Sequence, residues 1–263
     1  MKTVFLKLGG SLITDKDKPY TPQREIIRFI GSQIKKAREV DQSLRLLIGH
    51  GSGSFGHAAA KAAGYVEGDH KAFNPRGFQT IWMAAQKLNR IILDEFDHLD
   101  LPVIAFAPSS AVISSGKKIE AWDITPIRSA LDQNLLPVVF GDTVFDSEFG
   151  GVIYSTEELF LHLATKLSPD HILLAGKEKG VWADFPNKGE LIPEISSKNF
   201  SEFQLSINAS QSVDVTGGML KKVQIMIQIK ELIPQCQIHI FSGDDREAIF
   251  DGLTGNPHGT LIN

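Results

Sequence analysis

Short apolar runs alternate along the chain with longer stretches in which apolar residues recur every three or four positions. Runs at 3–8, 44–48, 102–107, 135–140, 171–175 and 235–241 predict strands. Between the first two, 24–40 carries Ile26, Ile27, Ile30, Ile34 and Ala37 on one helical stripe. A second stripe over about 81–99 carries Ile81, Ala84, Ala85, Leu88, Ile91, Ile92 and Leu99, interrupted only by Glu95. Further helices are predicted over 156–167, 217–233 and 246–253. The run at 44–48 is continuously apolar, as a parallel strand covered on both faces is. Strands alternating with helices predict an α/β fold with a mainly parallel sheet. The turn-rich stretch 141–151 is the best candidate for a mid-chain boundary, but nothing in it has linker composition. One unit spanning 1–263 is therefore expected, its halves 1–150 and 151–263 sharing a continuous sheet. Residues 185–189 read as an exposed turn.

Composition narrows the class. The 263 residues are 42 % apolar and 22 % charged with a formal charge of −4, which excludes a disordered chain and disfavours nucleic acid as a partner. The lone Cys236 excludes an internal disulfide and clustered-thiolate metal sites, and its apolar surroundings predict a buried thiol. Lys7 interrupts the first apolar run, so the N-terminus does not read as a signal peptide. No run approaches the roughly 18 uninterrupted apolar residues of a membrane helix. A soluble, cytoplasmic protein without a membrane partner is expected.

Three glycine-bearing segments carry the chemistry. Lys7-Leu8-Gly9-Gly10-Ser11 ends the first strand, Gly49-His50-Gly51-Ser52-Gly53-Ser54-Phe55-Gly56-His57 follows the second, and Asp214-Val215-Thr216-Gly217-Gly218-Met219-Leu220-Lys221-Lys222 opens a helix. Without a Cβ, backbone amides can approach an oxyanion closely, and a helix N-terminus adds partial positive charge. Lys7 inside an apolar strand needs a charge partner, and Lys222 near a helix start is unfavourable with the dipole. An anionic ligand held from two sides resolves both. The P-loop spacing is absent. Gly51-Ser52-Gly53-Ser54-Phe55-Gly56 formally reads G-x-G-x-x-G, which leaves a nicotinamide dinucleotide open, although no acidic residue ends a strand some 20 positions on.

The set K-x-G-G-S, H-G-x-G-S-F-G-H and D-V-T-G-G-M-x-x-K resembles the amino acid kinase superfamily, and within it the isopentenyl phosphate kinases. The likeness runs nearly end to end, through Asp123–Arg128, Pro137–Asp142 and Gly259–Ile262. The ending Ser54-Phe55-Gly56-His57 is its most specific mark.

This resemblance implies a three-layer αβα fold and transfer of the γ-phosphoryl group of ATP, with Mg²⁺, to isopentenyl phosphate. It implies an acceptor-binding, dimerising half at 1–150 and a nucleotide-binding half at 151–263, hence a homodimer. It assigns Lys7, Gly9, Gly10, Ser11, Gly53, Gly180, Gly218 and Lys222 to ATP, and Ser52, His57 and Gly141 to the acceptor phosphate. Lys16, with Lys7, His57 and Lys222, completes the catalytic set.

Two departures from the family pattern fall in the second half. Ser155-Thr156-Glu157 stands where S-G-D is usual, and Gly176-Lys177-Glu178-Lys179-Gly180 where T-D-V-D-G is usual. Phe73, Phe78, Ile81, Trp82 and Met83 are candidates for an apolar tail pocket. The residues leave open a related kinase with a phosphonate or carboxylate acceptor, and a non-catalytic nucleotide-binding protein on the same fold.

Overall fold

A computed structural model describes residues 2–65, 73–185, 187–208 and 218–263. In chain order the first half gives β1 (Thr3–Leu8), α1 (Gly10–Ile13), α2 (Arg24–Val40), β2 (Arg45–His50), α3 (Gly53–Ala62), α4 (Pro75–Asp97), β3 (Val103–Ala105), β4 (Val112–Ser115), β5 (Lys118–Trp122), α5 (Thr125–Asp132), β6 (Leu136–Phe140) and β7 (Asp142–Asp146). Then come β8 (Gly150–Tyr154), α6 (Thr156–Leu167), β9 (His171–Gly176), β10 (Val181–Trp182), β11 (Leu191–Ile192), β12 (Glu194–Ile195), α7 (Phe200–Asn208), α8 (Gly218–Leu232), β13 (Gln237–Ser242), α9 (Ala248–Thr254) and β14 (Thr260–Ile262).

Eight strands form one sheet in the order β12-β14-β13-β9-β1-β2-β6-β3. Every pairing in it is parallel except β13 with β14. The expected α/β architecture is present. Strand side chains alternate between two apolar layers. Val4, Leu6 and Leu8 of β1 join Ile27, Ile30 and Ile34 of α2 and Leu88 and Ile92 of α4. Phe5 points the other way, into a layer with Leu159, Phe160 and Leu163 of α6 and Val223 and Met226 of α8. Period-2 alternation therefore turns Lys7, two residues after Phe5, toward α6 and α8.

The stretch 141–151 is not a linker. Its residues build β7 and start β8, which join β4 and β5 in a second, four-stranded sheet. The second helix stripe also resolves: Glu95 is fully buried, with Arg24 and Arg28 of α2 on its two oxygens. Those pairs answer the one polar position in the α4 stripe. Cys236 is buried and free, immediately before β13, and burial pushes its thiol up to about 12. Among the described residues no helix is long and apolar enough to cross a membrane.

Candidate active site

β1 and β9 are neighbours, yet the chain leaves β1 toward β2 and β9 toward β13, so the winding reverses between them. Ligands of open α/β sheets bind at the carboxyl ends of strands at such a reversal. A cavity of about 400 Å³ lies there.

The cavity gathers every site residue expected from the sequence. Lys7, Gly9, Gly10, Ser11 and Lys16 reach it from the end of β1 and beyond. Ser52, Gly53 and His57 reach it from the segment after β2, Gly141 from the end of β6, and Gly180 from the approach to β10. Gly218 and Lys222 come from the start of α8; the preceding Asp214–Gly217, part of the third glycine segment, lies outside the described residues. Helices start inside the first two segments: α1 begins at Gly10, and α3 begins at Gly53, after Gly49 and His50 have ended β2, and carries His57.

Backbone packing explains the first two glycine segments. The Gly9 N–H donates to the Ala175 carbonyl at 2.8 Å, tying the end of β1 to the end of β9. Gly53 adopts φ +50°, a conformation that side-chain-bearing residues rarely hold, and its backbone lies directly against Gly10. The Gly141 N–H and the Thr156 hydroxyl donate to the His50 carbonyl at 3.2 and 2.6 Å, which joins β6 and α6 to the same rim.

The charge partner that Lys7 requires is Glu157. Both side chains are nearly buried, and the Lys7 ammonium donates to the Glu157 carboxylate. Burial pushes Glu157 toward its neutral form, but Lys7 and Lys222 outweigh it and hold the carboxyl below the usual range. The Glu at this departure from the family pattern thus reaches Lys7 across the sheet end. At the second departure, Lys177 and Glu178 both line the cavity. Glu178 accepts from Trp182 Nε1 at 2.8 Å and pairs with Lys188 at 2.7 Å.

Two buried groups brace the rim. His50 stacks on Phe140 at 5.2 Å between ring centroids, with Nδ1 3.1 Å from the Gly51 carbonyl oxygen and Nε2 3.2 Å from Asn89 Oδ1. Burial pulls its pKa down to about 4, so the ring is neutral near pH 7. Asp142 accepts from the Ser109 and Thr143 N–H groups, and burial nevertheless raises it to about 6.

Sequence reasoning missed the aromatic and apolar wall. Tyr154, Trp182, Phe185 and Ile225 line the cavity. Trp182 and Phe185 lie in a stretch with no helical or alternating period, so patterning gave no signal. Conversely, Phe73, Phe78, Ile81, Trp82 and Met83 are not among the residues lining this cavity. Ile81 is core and Met83 is 55 % exposed. Phe73 and Phe78 pack on Gly150 and Gly151, and Trp82 Nε1 donates to Ser109. The dinucleotide reading loses its context as well, because the strand following α3 and α4, Val103–Ala105, ends without an acidic residue.

Comparison with known proteins agrees with this geometry. Residues 2–242 match the amino acid kinase family. The chain is 34 % identical to isopentenyl phosphate kinase of Methanocaldococcus jannaschii over 265 residues, covering 98 % of each. It is 31 % identical to isopentenyl phosphate kinase of Methanothermobacter thermautotrophicus, covering 98 % of this chain and 95 % of that one. A crystal structure described as isopentenyl phosphate kinase superposes with a TM-score of 0.81 at 27 % identity, covering 99 % of this chain and 100 % of the other. The chain belongs to the amino acid kinase family, among its isopentenyl phosphate kinases.

Proposed function

We propose that this protein is an ATP-dependent phosphotransferase that converts isopentenyl phosphate to isopentenyl diphosphate. The observation that carries the reading is convergence: lysines and glycine backbone from both halves of the sheet face one cavity. An oxygen of the acceptor phosphate attacks the γ-phosphorus, a new P–O bond forms, and the bond to the β,γ-bridging oxygen breaks to release ADP. That acceptor oxygen is already ionised, so no strong base is needed. The barrier is the meeting of two anions, and positioning with charge neutralisation lowers it.

In this reading Lys7, Gly9, Gly10, Ser11, Gly53, Gly180, Gly218 and Lys222 hold ATP. Lys16 and Lys222 offset charge on the transferring group. Ser52, His57 and the Gly141 backbone hold the acceptor phosphate, with His57 as a hydrogen-bond donor. Residues 1–150 form the acceptor half and 151–263 the nucleotide half. Mg²⁺ supplies further neutralisation when bound with the nucleotide. Among the described residues no group of three or more His, Cys, Asp or Glu side chains is placed to cage a metal ion. Glu157 is committed to Lys7. We read that ion as carried mainly on phosphate oxygens and water.

The protein works as a homodimer through its first half. Exposed Ile104 on the sheet-edge strand β3 and exposed Met83 on the adjacent α4 support that face. A cytoplasmic location fits the single buried thiol.

The test is purified protein with ATP, Mg²⁺ and a panel of acceptors: isopentenyl phosphate, fosfomycin as a phosphonate, and small carboxylates. Diphosphate formed from isopentenyl phosphate and lost in Lys222→Met supports the reading. Transfer only to another acceptor, or ATP binding without any transfer, refutes it.

A further inference from the structure

We propose that Lys117, which does not line the cavity, is a positioning residue that sets the start of α8 through Glu158. Glu157 and Glu158 are consecutive at the start of α6, and Lys221 and Lys222 are consecutive at the start of α8. Glu157 contacts Lys7 and lies in the field of Lys222. Glu158 builds the neighbouring set. Its Oε1 lies 3.3 Å from Lys221 Nζ and 3.5 Å from Lys117 Nζ. Its Oε2 accepts from the Ser155 N–H at 2.7 Å. One carboxylate oxygen thus sits between a lysine of α8 and a lysine delivered from the four-stranded sheet. All three side chains are mostly withdrawn from solvent, at 24 % exposure for Lys117, 27 % for Lys221 and 18 % for Glu158. Screening is weaker there than for a surface pair.

The delivery of Lys117 is rigid. It sits in the turn between β4 and β5, and Asp146 of β7 accepts from the Gly116 and Lys117 N–H groups at 3.1 and 2.9 Å. Asp146 also accepts from the Ser114 hydroxyl at 2.6 Å and from the Glu148 and Phe149 N–H groups at 3.0 Å each. Burial works against its charge, but these donors win and hold the carboxyl down at about 2. Lys117 itself has φ +59°, a left-handed conformation that costs any residue with a Cβ and that Gly or Asn would adopt more easily. The strained backbone aims a long cation at Glu158.

A helical turn moves as a unit, so what fixes Lys221 also fixes its neighbour Lys222 at the cavity wall. Without Lys117, Glu158 and Lys221 can pair in more than one geometry, and the first turns of α8 lose a restraint that originates in the other half of the chain. Small displacements of a charge-neutralising group are costly to phosphoryl transfer.

This inference rests on the reading of Lys222 as an ATP contact. The test is a double-mutant cycle with Lys117→Met and Glu158→Gln; Gln still completes a capping box, so the second change removes charge without removing the cap. Read out are the ATP dissociation constant by calorimetry, kcat, and KM for isopentenyl phosphate. Each single variant is expected to weaken ATP binding and lower kcat by about three- to tenfold, with the acceptor KM nearly unchanged. The double variant should be no worse than Glu158→Gln alone, and Lys117→Arg should restore wild-type values. Wild-type behaviour of Lys117→Met, additive losses in the double variant, or an acceptor KM that moves as far as ATP affinity would each overturn the proposal. If wild-type protein binds ATP but leaves isopentenyl phosphate untouched, the proposed function fails and the calorimetric cycle alone decides the role of Lys117. Absence of ATP binding by the wild type overturns both.

Discussion

Gly10 and Gly53 exclude each other's side chains: a Cβ on Gly10 would fall 2.6 Å from the Gly53 Cα, and one on Gly53 would fall 2.6 Å from the Gly10 carbonyl oxygen. The ends of β1 and β2 can therefore close on one another only as bare backbone. Gly10→Ala must push the two segments apart. Overpacking of this kind costs about 1–3 kcal/mol of stability. Misplacing the amides of both segments should lower kcat/KM by about 10²-fold. Steady-state kinetics beside a thermal melt checks this, and near-wild-type turnover in a folded Gly10→Ala protein would contradict it.

Glu157→Gln leaves the ammonium of Lys7 nearly buried with its carboxylate partner gone. Breaking a buried pair from one side destabilises by about 3–5 kcal/mol. ATP phosphates can replace the lost charge, so the variant should gain more melting temperature from ATP than the wild type does. Equal ATP-induced shifts in the two proteins would show that Lys7 does not face the nucleotide.

His57 is assigned to the acceptor phosphate, so His57→Ala should weaken binding of isopentenyl phosphate more than binding of ATP. Calorimetry with each ligand separately measures both. Equal losses would place His57 elsewhere in the cavity.

The buried His50 ring gives a pH signature. Its folded-state pKa, about 4, lies below the ordinary value of 6.5. The unfolded chain therefore takes up the proton first on acidification. Stability contributed by the neutral ring is complete above about pH 6.5 and is lost as pH falls toward 4, by on the order of 3 kcal/mol. Asp142, raised to about 6, has the opposite slope between its unfolded pKa and that value, because its neutral form is the one the fold favours. The two partly cancel in wild-type protein. Denaturant unfolding of His50→Asn beside wild type isolates the histidine: the variant should lose less stability between pH 6.5 and 4, and parallel profiles would refute the assignment.

Much of this was legible in the residues. The stripe Ile27, Ile30, Ile34 gave α2 its true bounds, and Thr156–Leu167 coincides with α6. Lys7 announced a partner because a lone ammonium in an apolar strand is costly, and Glu157 is that partner. What escaped had physical causes. The glycines of Gly51-Ser52-Gly53-Ser54-Phe55-Gly56 masked the start of α3, since they lower helix propensity while the packing of buried Phe55 and Ala59 supplies the missing stability. The hairpin of β7 and β8 hid among turn residues. Its cohesion comes from partners such as Ser114 and Tyr154, whose side-chain oxygens lie 2.8 Å apart across the second sheet. Trp182 and Phe185 reached the cavity from a segment without period, where only the three-dimensional path of the chain could place them.

The most direct measurement is a crystal structure with a non-hydrolysable ATP analogue and isopentenyl phosphate together. It should show the terminal phosphate of the analogue between the Gly10–Gly53 backbone and Lys222, with the acceptor phosphate beside it on Ser52 and His57. Either ligand bound outside this cavity, or the two phosphates too far apart for one to attack the other, would contradict the account.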